Sequence, residues 1–415
     1  MRALMISPAM PALKGGGLSM RMGLFLHALS EIAETDLLVL PLGGLPKHQQ
    51  LLDPYFSATC KVISIAGRED TLFKLLLRVQ DDAERLEAFK RYGRSSLAAS
   101  LSAAVLADIA DATAGKTYDI IHVGRSYFAE AALVLKSQAD RTLDADENDA
   151  EVFRRRAAME LAAGNQQASA HFIAEAEACD RQQSATLGQF DMVFASSAKE
   201  AQSLQLYQAG RPVQVVTNAV VPPKSVVRQD DGQTLLFVGS LGFPPNREGL
   251  LWFAREVWPL LGARSGKPLR LLIVGRDCPP EVQRLSDIAG ISVHSDVVNL
   301  DEFYARATLA VVPLHVGGGT RIKIIEAAMH GVPVVSTRLG VEGLSFAEGR
   351  EILLAEDARQ MANQIISALS NPSKAREIGL GAQAVAKAQY SFETVSHQLA
   401  CNWKELLAKR NPEGI

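Results

Sequence analysis

Along this chain, short apolar runs alternate with longer stretches whose apolar residues recur every three or four positions. Residues 3–6 (Ala-Leu-Met-Ile) precede a helical pattern over 20–32, and residues 37–40 (Leu-Leu-Val-Leu) follow it, which is a β-α-β opening. The same reasoning predicts strands at 62–65, 120–123, 192–195 and 213–216, with a short one at 142–143. Two long polar-rich helical patterns, 81–112 and 151–187, interrupt this alternation and carry breakers at Gly93 and Gly164. Prolines, charges and a glycine over 222–232 mark a linker. Beyond it the grammar restarts, with strands predicted at 235–238, 271–274, 291–293, 309–312 and 332–335. The fold class is therefore α/β, with two parallel-sheet domains at 1–222 and 223–391 and a terminal helical segment at 392–415. In open sheets of this kind ligands sit beyond the carboxyl ends of the strands, so two such domains facing a cleft would serve two substrates.

Composition narrows this picture mainly by exclusion. Hydrophobic residues at 47% and charged residues at 21% rule against a disordered or fibrous chain. The net charge of -3 is spread along the chain, so nothing pulls the protein as a whole toward nucleic acid, and any anion site must be local. Cys60, Cys179, Cys278 and Cys401 stand far apart without a Cys-x-x-Cys spacing, which argues against a zinc site and a disulfide framework and fits a reducing compartment. Pro8, Pro11 and Lys14 interrupt the apolar N-terminus before a signal-peptide core forms, and no run approaches the roughly 20 apolar residues of a spanning helix. A cytoplasmic protein is expected.

The local anion site is predicted after the strand at 309–312. There Gly317, Gly318 and Gly319 precede Thr320, Arg321, Ile322 and Lys323, and a helical pattern runs on through Glu326 to Met329. Glycines let backbone amides approach an anion, and the start of a helix adds unpaired N–H groups and the positive end of its dipole. Arg321 and Lys323 fall in the first turn, where the dipole repels cations unless an anion compensates them. Charge-assisted hydrogen bonds of about 1.5–3 kcal/mol each to a diphosphate would more than offset that misplacement. Ile322, Ile325 and Met329 share an expected inward face, while Thr320, Lys323 and Glu326 share a polar one. Glu326, one turn past the phosphate grip, is placed to accept hydrogen bonds from a ribose. The bland alternative is a glycine-rich turn with Glu326 paired to a surface cation.

The segment 313–327, followed by Gly331-Val332-Pro333-Val334-Val335-Ser336-Thr337, resembles the donor-site signature of retaining glycosyltransferases of family four, also called glycosyl transferases group 1. It resembles in particular a subset with a Gly-Gly-Gly-Thr-Arg donor loop. Supporting pieces are Phe237-Val238-Gly239-Ser240 with Asn246 nearby, Val274-Gly275, and Leu339-Gly340-Val341-Glu342-Gly343-Leu344. Gly15-Gly16-Gly17, Tyr118-Asp119-Ile120-Ile121-His122 and Val216-Thr217-Asn218 resemble the family more loosely. The resemblance implies a GT-B fold of two Rossmann-like domains. It implies that Arg321 and Lys323 hold the diphosphate of a nucleoside-diphosphate-sugar co-substrate (a UDP- or GDP-sugar), that Glu326 holds the ribose, and that the backbone around Gly318 and Gly319 holds the sugar. Gly239 and His294 would line the donor, the latter beside the base, and no metal or cofactor would be needed. Two departures stand out. The family often carries a glutamate where Gly318 lies, eight residues ahead of Glu326, and a histidine where Gly124 and Arg125 follow His122-Val123.

In transfer from a nucleotide sugar, negative charge grows on the departing phosphate, and Arg321 and Lys323 are the cations expected to meet it. The resemblance implies retention of anomeric configuration, with the leaving phosphate taking the acceptor's proton. On the acceptor side, Asp144, Asp146, Glu147, Asn148 and Asp149 could bind hydroxyls or stabilise developing positive charge, with Asp146 the candidate catalytic group, or could form a solvated acidic loop capping the next helix. His122 could face the cleft or sit in the core. Gly16 and Gly17 could approach the donor phosphates or form a plain turn. Arg154-Arg155-Arg156 and Arg85, Lys90, Arg91 and Arg94 could rest on an anionic membrane carrying a lipid-linked acceptor, or form a solvated helix face. The expected partners are thus a nucleotide-sugar donor and a saccharide, lipid-linked or small hydroxyl acceptor. The competing readings are an NAD-independent nucleotide-sugar epimerase and an inactive nucleotide-sugar-binding scaffold.

Overall fold

The computed structural model describes residues 1–42, 52–208, 210–224, 227–264, 266–297, 299–315 and 321–410. It divides into two compact units, Met1–Thr217 with Val395–Ile415, and Asn218–Thr394.

The first unit holds a seven-stranded sheet in the order β3-β2-β1-β4-β5-β6-β7. Its strands are β1 (Arg2–Ser7), β2 (Glu34–Val39), β3 (Thr59–Val62), β4 (Ile120–Gly124), β5 (Asp140–Asp146), β6 (Met192–Ala195) and β7 (Val213–Val215). The second holds a six-stranded sheet in the order β10-β9-β8-β11-β12-β13. Its strands are β8 (Thr234–Val238), β9 (Arg270–Gly275), β10 (Ile291–Ser295), β11 (Leu309–Val312), β12 (Val334–Ser336) and β13 (Leu353–Leu354). Neighbouring strands pair in parallel throughout. The central strands β8 and β11 are buried along their whole length, as expected where helices cover both faces of a parallel sheet. These are two Rossmann-like domains.

Strand order reverses once in each sheet, between β1 and β4 and between β8 and β11. Crossovers leave such a pair in opposite directions, which opens a crevice at their carboxyl ends. In the second sheet β8 and β11 pair only through Leu235 with Leu309 and Leu236 with Ala310, whereas β8 and β9 stay paired from Thr234 to Val238.

Most sequence expectations hold to within a few residues, and the exceptions have physical causes. Gly93 ends the helix Asp82–Tyr92 in a left-handed conformation with φ 75°, and Gly164, with φ 83°, separates the helices Asp149–Ala162 and Gln166–Thr186. The strand expected at 62–65 is instead Thr59–Val62; Ile63 still donates its amide to the Val39 carbonyl of β2, and Ile65 is buried beyond the strand's end, where its apolar character reports packing. The strand expected at 142–143 runs over seven residues because Asp140, Asp144 and Asp146 all lie on it. The two-residue edge strand β13 had no readable pattern.

The chain enters the second unit at Asn218, ahead of the proline-rich segment 222–232, since Val220 already bridges to Ser391 there and exchanges backbone hydrogen bonds with Tyr390 and Phe392. The terminal helix Phe392–Arg410 returns to the first unit from Val395 onward. Its Trp403 is fully buried among Phe25, His122 and Phe194, with ring centroids 5.5–6.0 Å apart, and donates its indole N–H to Thr142 Oγ1 at 3.2 Å. Among the described residues no helix is long and apolar enough to cross a membrane.

Because Trp403 fills the first unit's core, Trp403→Ala leaves a large cavity and removes one of the two hydrogen bonds at the Thr142 hydroxyl, the other being to His122 Nδ1 at 2.9 Å. A loss of about 3–5 kcal/mol is expected in denaturant unfolding. A loss under about 1 kcal/mol would mean that the terminal helix does not hold the first unit together.

Candidate functional site

At the carboxyl edge of the second sheet, the chain makes unusually close approaches. A Cβ at Gly275, the last residue of β9, would strike the Gly239 carbonyl just past β8, and one at Gly249 would strike the carbonyl of Pro313 after β11. Asp277 and Asp296, beyond β9 and β10, adopt φ 56°, a left-handed turn that aspartate tolerates better than most side chains. These contacts fix where the crevice between β8 and β11 opens.

Lys323 reaches into that crevice from the helix Ile322–Met329, which follows β11. Its Nζ lies 2.5 Å from Asn246 Oδ1, on the helix Pro244–Trp252 that follows β8, and 4.4 Å from the centroid of Phe237 on β8. Gly239 makes room for it, since a Cβ there would sit 2.9 Å from Nζ and 2.8 Å from Asn246 Nδ2. Burial drives the Lys323 ammonium down to about 7, with Arg321 adding repulsion and Glu326 partly opposing it. A lysine so placed holds its charge at a cost that a bound anion would remove.

Arg321 is buried and occupies the N-cap position of this helix, with φ -84° and ψ 86°, and so does not belong to its first turn as the sequence suggested. Glu326 accepts a hydrogen bond from Tyr304 Oη at 3.2 Å, on the helix Asp301–Arg306. Tyr304 stacks on His330, with centroids 4.4 Å apart; that ring contacts Asp301 Oδ1 at 3.0 Å and the Glu326 carbonyl at 2.7 Å. The inward face differs from the expected one. Ile324, Ile325, Ala327, Ala328 and Met329 are buried while Ile322 is only partly so, because this helix packs on the sheet and on the helix Pro372–Gln389. Gly317, Gly318, Gly319 and Thr320 lie outside the described residues. His294 sits on β10, beyond β9 from β8, and its ring packs at 5.1 Å on Phe303. The structure thus brings Gly239 and Lys323 together, with Arg321 and Glu326 on the same helix and its cap, and sets His294 apart on the edge strand.

In the first unit, Gly16 caps the helix Gly17–Ser30, and Met20 donates its amide to the Gly16 carbonyl at 3.0 Å. His122 is corrected from a catalytic candidate to a core residue. Its ring is fully buried, stacks on Phe25 at 4.7 Å, packs edge-on to Trp403 and bonds Thr142 Oγ1 through Nδ1 at 2.9 Å, and burial pushes its pKa down to about 3, which favours the neutral ring. A Cβ at Gly124 would press on the Met22 thioether and the Pro8 ring.

Asp146 ends β5 with φ 65° and is 14% exposed. Arg125, also left-handed at φ 73°, donates to Asp146 Oδ2 at 2.6 Å and to Glu147 Oε1 at 3.0 Å. Behind them Arg21 grips the buried Asp144 with two hydrogen bonds of 2.6 and 2.7 Å and donates to the Val216 carbonyl. Asn148 caps the helix Asp149–Ala162, and Asp149, bonded to Ser126, is pushed by burial up to about 6. The acidic segment therefore does cap a helix, yet it is an ion-paired, largely buried network and not a solvated loop. The basic stretches pair locally: Arg154 with Glu151 and Asp180, Arg85 with Asp82, Lys90 with Glu87, and Arg94 with Asp70 and Glu130.

Residues 232–371 match the family model described as Glycosyl transferases group 1. Over its full length the chain is similar to the solved structure of sucrose-phosphate synthase from Thermosynechococcus elongatus, at 18% identity and TM-score 0.69, covering 98% of this chain and 99% of that one. It is also similar to HepE of Anabaena in complex with UDP-glucose, at 13% identity and TM-score 0.64, covering 98% and 100%. The fold is GT-B. A stretch of 171 residues is 28% identical to an uncharacterized 44.6 kDa protein in the cps region of Klebsiella pneumoniae, covering 39% of this chain and 43% of that protein. Among the described residues of this GT-B chain, no cluster of three or more His, Cys, Asp or Glu could hold a metal ion.

The sequence pointed to Lys323 and Glu326 but not to what holds them. Asn246 stood in the sequence only as a piece of the family resemblance and Tyr304 not at all; the structure shows them as the partners of Lys323 and Glu326. The weak signal for Asn246 was a polar residue that is buried within an otherwise half-apolar helix.

The lowered pKa of Lys323 makes its stability contribution depend on pH. Between about 7 and about 10.4 the unfolded chain holds a proton that the folded chain has released, so stability rises with pH across that window. Lys323→Met is therefore expected to melt higher than the native chain at pH 6, with the gap closing as pH approaches about 10.4. A gap independent of pH would show that Lys323 titrates normally.

Proposed function

We propose that this protein is a retaining glycosyltransferase that moves a hexosyl or pentosyl group from a nucleoside-diphosphate sugar, with UDP or GDP as carrier, to a hydroxyl acceptor in polysaccharide, glycolipid or glycoconjugate synthesis. The observation that carries it is the Lys323 ammonium, partly desolvated at the point where β8 and β11 part, next to Gly239, whose missing side chain makes room for the ammonium and the Asn246 amide. The matched family region 232–371 contains every residue of that arrangement, and HepE, which shares the fold, was solved with UDP-glucose.

In this reading Lys323 and Arg321 meet the negative charge that grows on the departing diphosphate, a task at which fixed cations in a water-poor site are most effective. Glu326, held by Tyr304, accepts from the ribose hydroxyls. In the same reading Gly317, Gly318, Gly319 and Thr320 belong to the donor-binding set, the backbone around Gly318 and Gly319 taking the sugar, with Gly239 on the β8 side and His294 toward the base. The acceptor oxygen bonds the anomeric carbon on the face from which the phosphate departs, and that phosphate takes the acceptor's proton, so configuration is retained; Arg321 and Lys323 do the electrostatic work that would otherwise call for a metal. Asp146, with Gly16 and Gly17 on the same sheet edge of the first unit, serves the acceptor side.

Purified protein is expected to release nucleotide from one class among UDP-, GDP-, dTDP- and ADP-sugars, and to do so in the presence of a metal chelator. The double variant Arg321→Ala, Lys323→Ala should keep its circular dichroism and lose nucleoside-diphosphate affinity by at least about 100-fold, as two charge-assisted contacts disappear. Unchanged affinity in the folded double variant would sink the donor-site assignment, and chelation that abolishes turnover would sink the metal-free mechanism.

A further inference from the structure

The amide of Asn246 makes two bonds of opposite sense. Its Nδ2 donates to the Ser240 carbonyl at 2.8 Å, and its Oδ1 accepts from Lys323 Nζ at 2.5 Å. The orientation of the amide follows from chemistry, since only NH₂ can serve a carbonyl and only the carbonyl oxygen can serve an ammonium. One side chain thereby spans the crevice. It ties the turn after β8, through Ser240, to the helix after β11, through Lys323, at the place where direct pairing between those two strands has ended.

Asn246 is buried, and the space it and Lys323 share is bounded by Gly239 and the Phe237 ring. All three groups facing the ammonium from β8 and the helix Pro244–Trp252 are uncharged. The charged groups near it, Arg321 and Glu326, belong to its own helix and cap. A neutral acceptor holds the ammonium in place without cancelling its charge, which a carboxylate there would do.

We propose that Asn246 is a positioning residue for anion binding at this crevice: its amide fixes Lys323 against β8 without supplying a counter-charge, which leaves that role to a nucleoside diphosphate. The inference rests on the donor-site reading above for the identity of the anion, but the contact between Asn246 and Lys323 is testable without any ligand. Asn246 itself need not touch the nucleotide.

Two arms separate the inference from that reading. The ligand-free arm follows amine-reactive labelling of Lys323 against pH by peptide mass spectrometry, in the native chain, Asn246→Asp and Asn246→Ala. A carboxylate at 246 stabilises the ammonium, so the labelling midpoint should rise by at least about one pH unit in Asn246→Asp, and labelling should become faster in Asn246→Ala as Nζ loses its acceptor and meets water. The ligand arm measures UDP and GDP affinity by calorimetry. Asn246→Ala should weaken binding about tenfold in the native background and change it less than about twofold when Lys323→Met is already present. Labelling curves that stay the same in both folded variants overturn the inference, as does an equal loss of affinity in both backgrounds. Shifted labelling curves in a protein that binds neither nucleotide would uphold the Asn246 contact and overturn the donor-site reading alone.

Discussion

A lysine ammonium kept partly out of water between a phenyl ring, an amide oxygen and a glycine is the constraint around which the second unit is arranged. Desolvating an ammonium is expensive, and one hydrogen bond to a neutral amide does not compensate it, which is why its pKa falls. The surroundings hold that cost in place. Gly239 must lack a side chain, Gly275 must lie against the Gly239 carbonyl, and Gly249 must let the helix Pro244–Trp252 press on the chain after β11. Gly275 and Gly249 let backbone approach backbone, Gly239 leaves space for the two side chains, and together they bring Asn246 and Lys323 within reach across two strands that have stopped pairing. The arrangement is set by the fold itself, and an anion beside Lys323 would relieve the cost of its charge.

The first unit places a comparable investment of charge at the carboxyl end of its own sheet, arranged differently. Arg21 and Asp144 pair with almost no exposure, while Arg125, Asp146 and Glu147 form a second, slightly exposed layer. Replacing such pairs by apolar groups is often neutral or stabilising, so their presence is weak evidence for stability. What they provide is orientation: Arg21 links α-helix, β5 and the segment after β7 through Asp144 and the Val216 carbonyl, and so fixes the backbone on which Asp146 turns into its left-handed conformation. The aromatic cluster of Phe25, His122, Phe194 and Trp403 lies beneath the same sheet, and it is closed only by a residue near the end of the chain.

The sequence by itself determined the two parallel sheets, because buried parallel strands are short apolar runs and their crossover helices carry a different period. It also singled out Arg321, Lys323 and Glu326 as the candidate donor grip, because cations at a helix start after a glycine run contradict the dipole and so demand an explanation. The helix breaks at Gly93 and Gly164 were equally plain, since only glycine adopts those backbone angles at little cost. Tertiary structure alone decided what depends on residues far apart in the chain. Whether His122 faced a cleft or the core turned on Trp403, and the fate of the acidic segment turned on Arg21 and Arg125. The partners of Lys323 and Glu326 were likewise set by strand order. Local sequence carries periodicity and conformational preference, but which side chains meet across a crevice is fixed only when the strands that bear them are laid side by side.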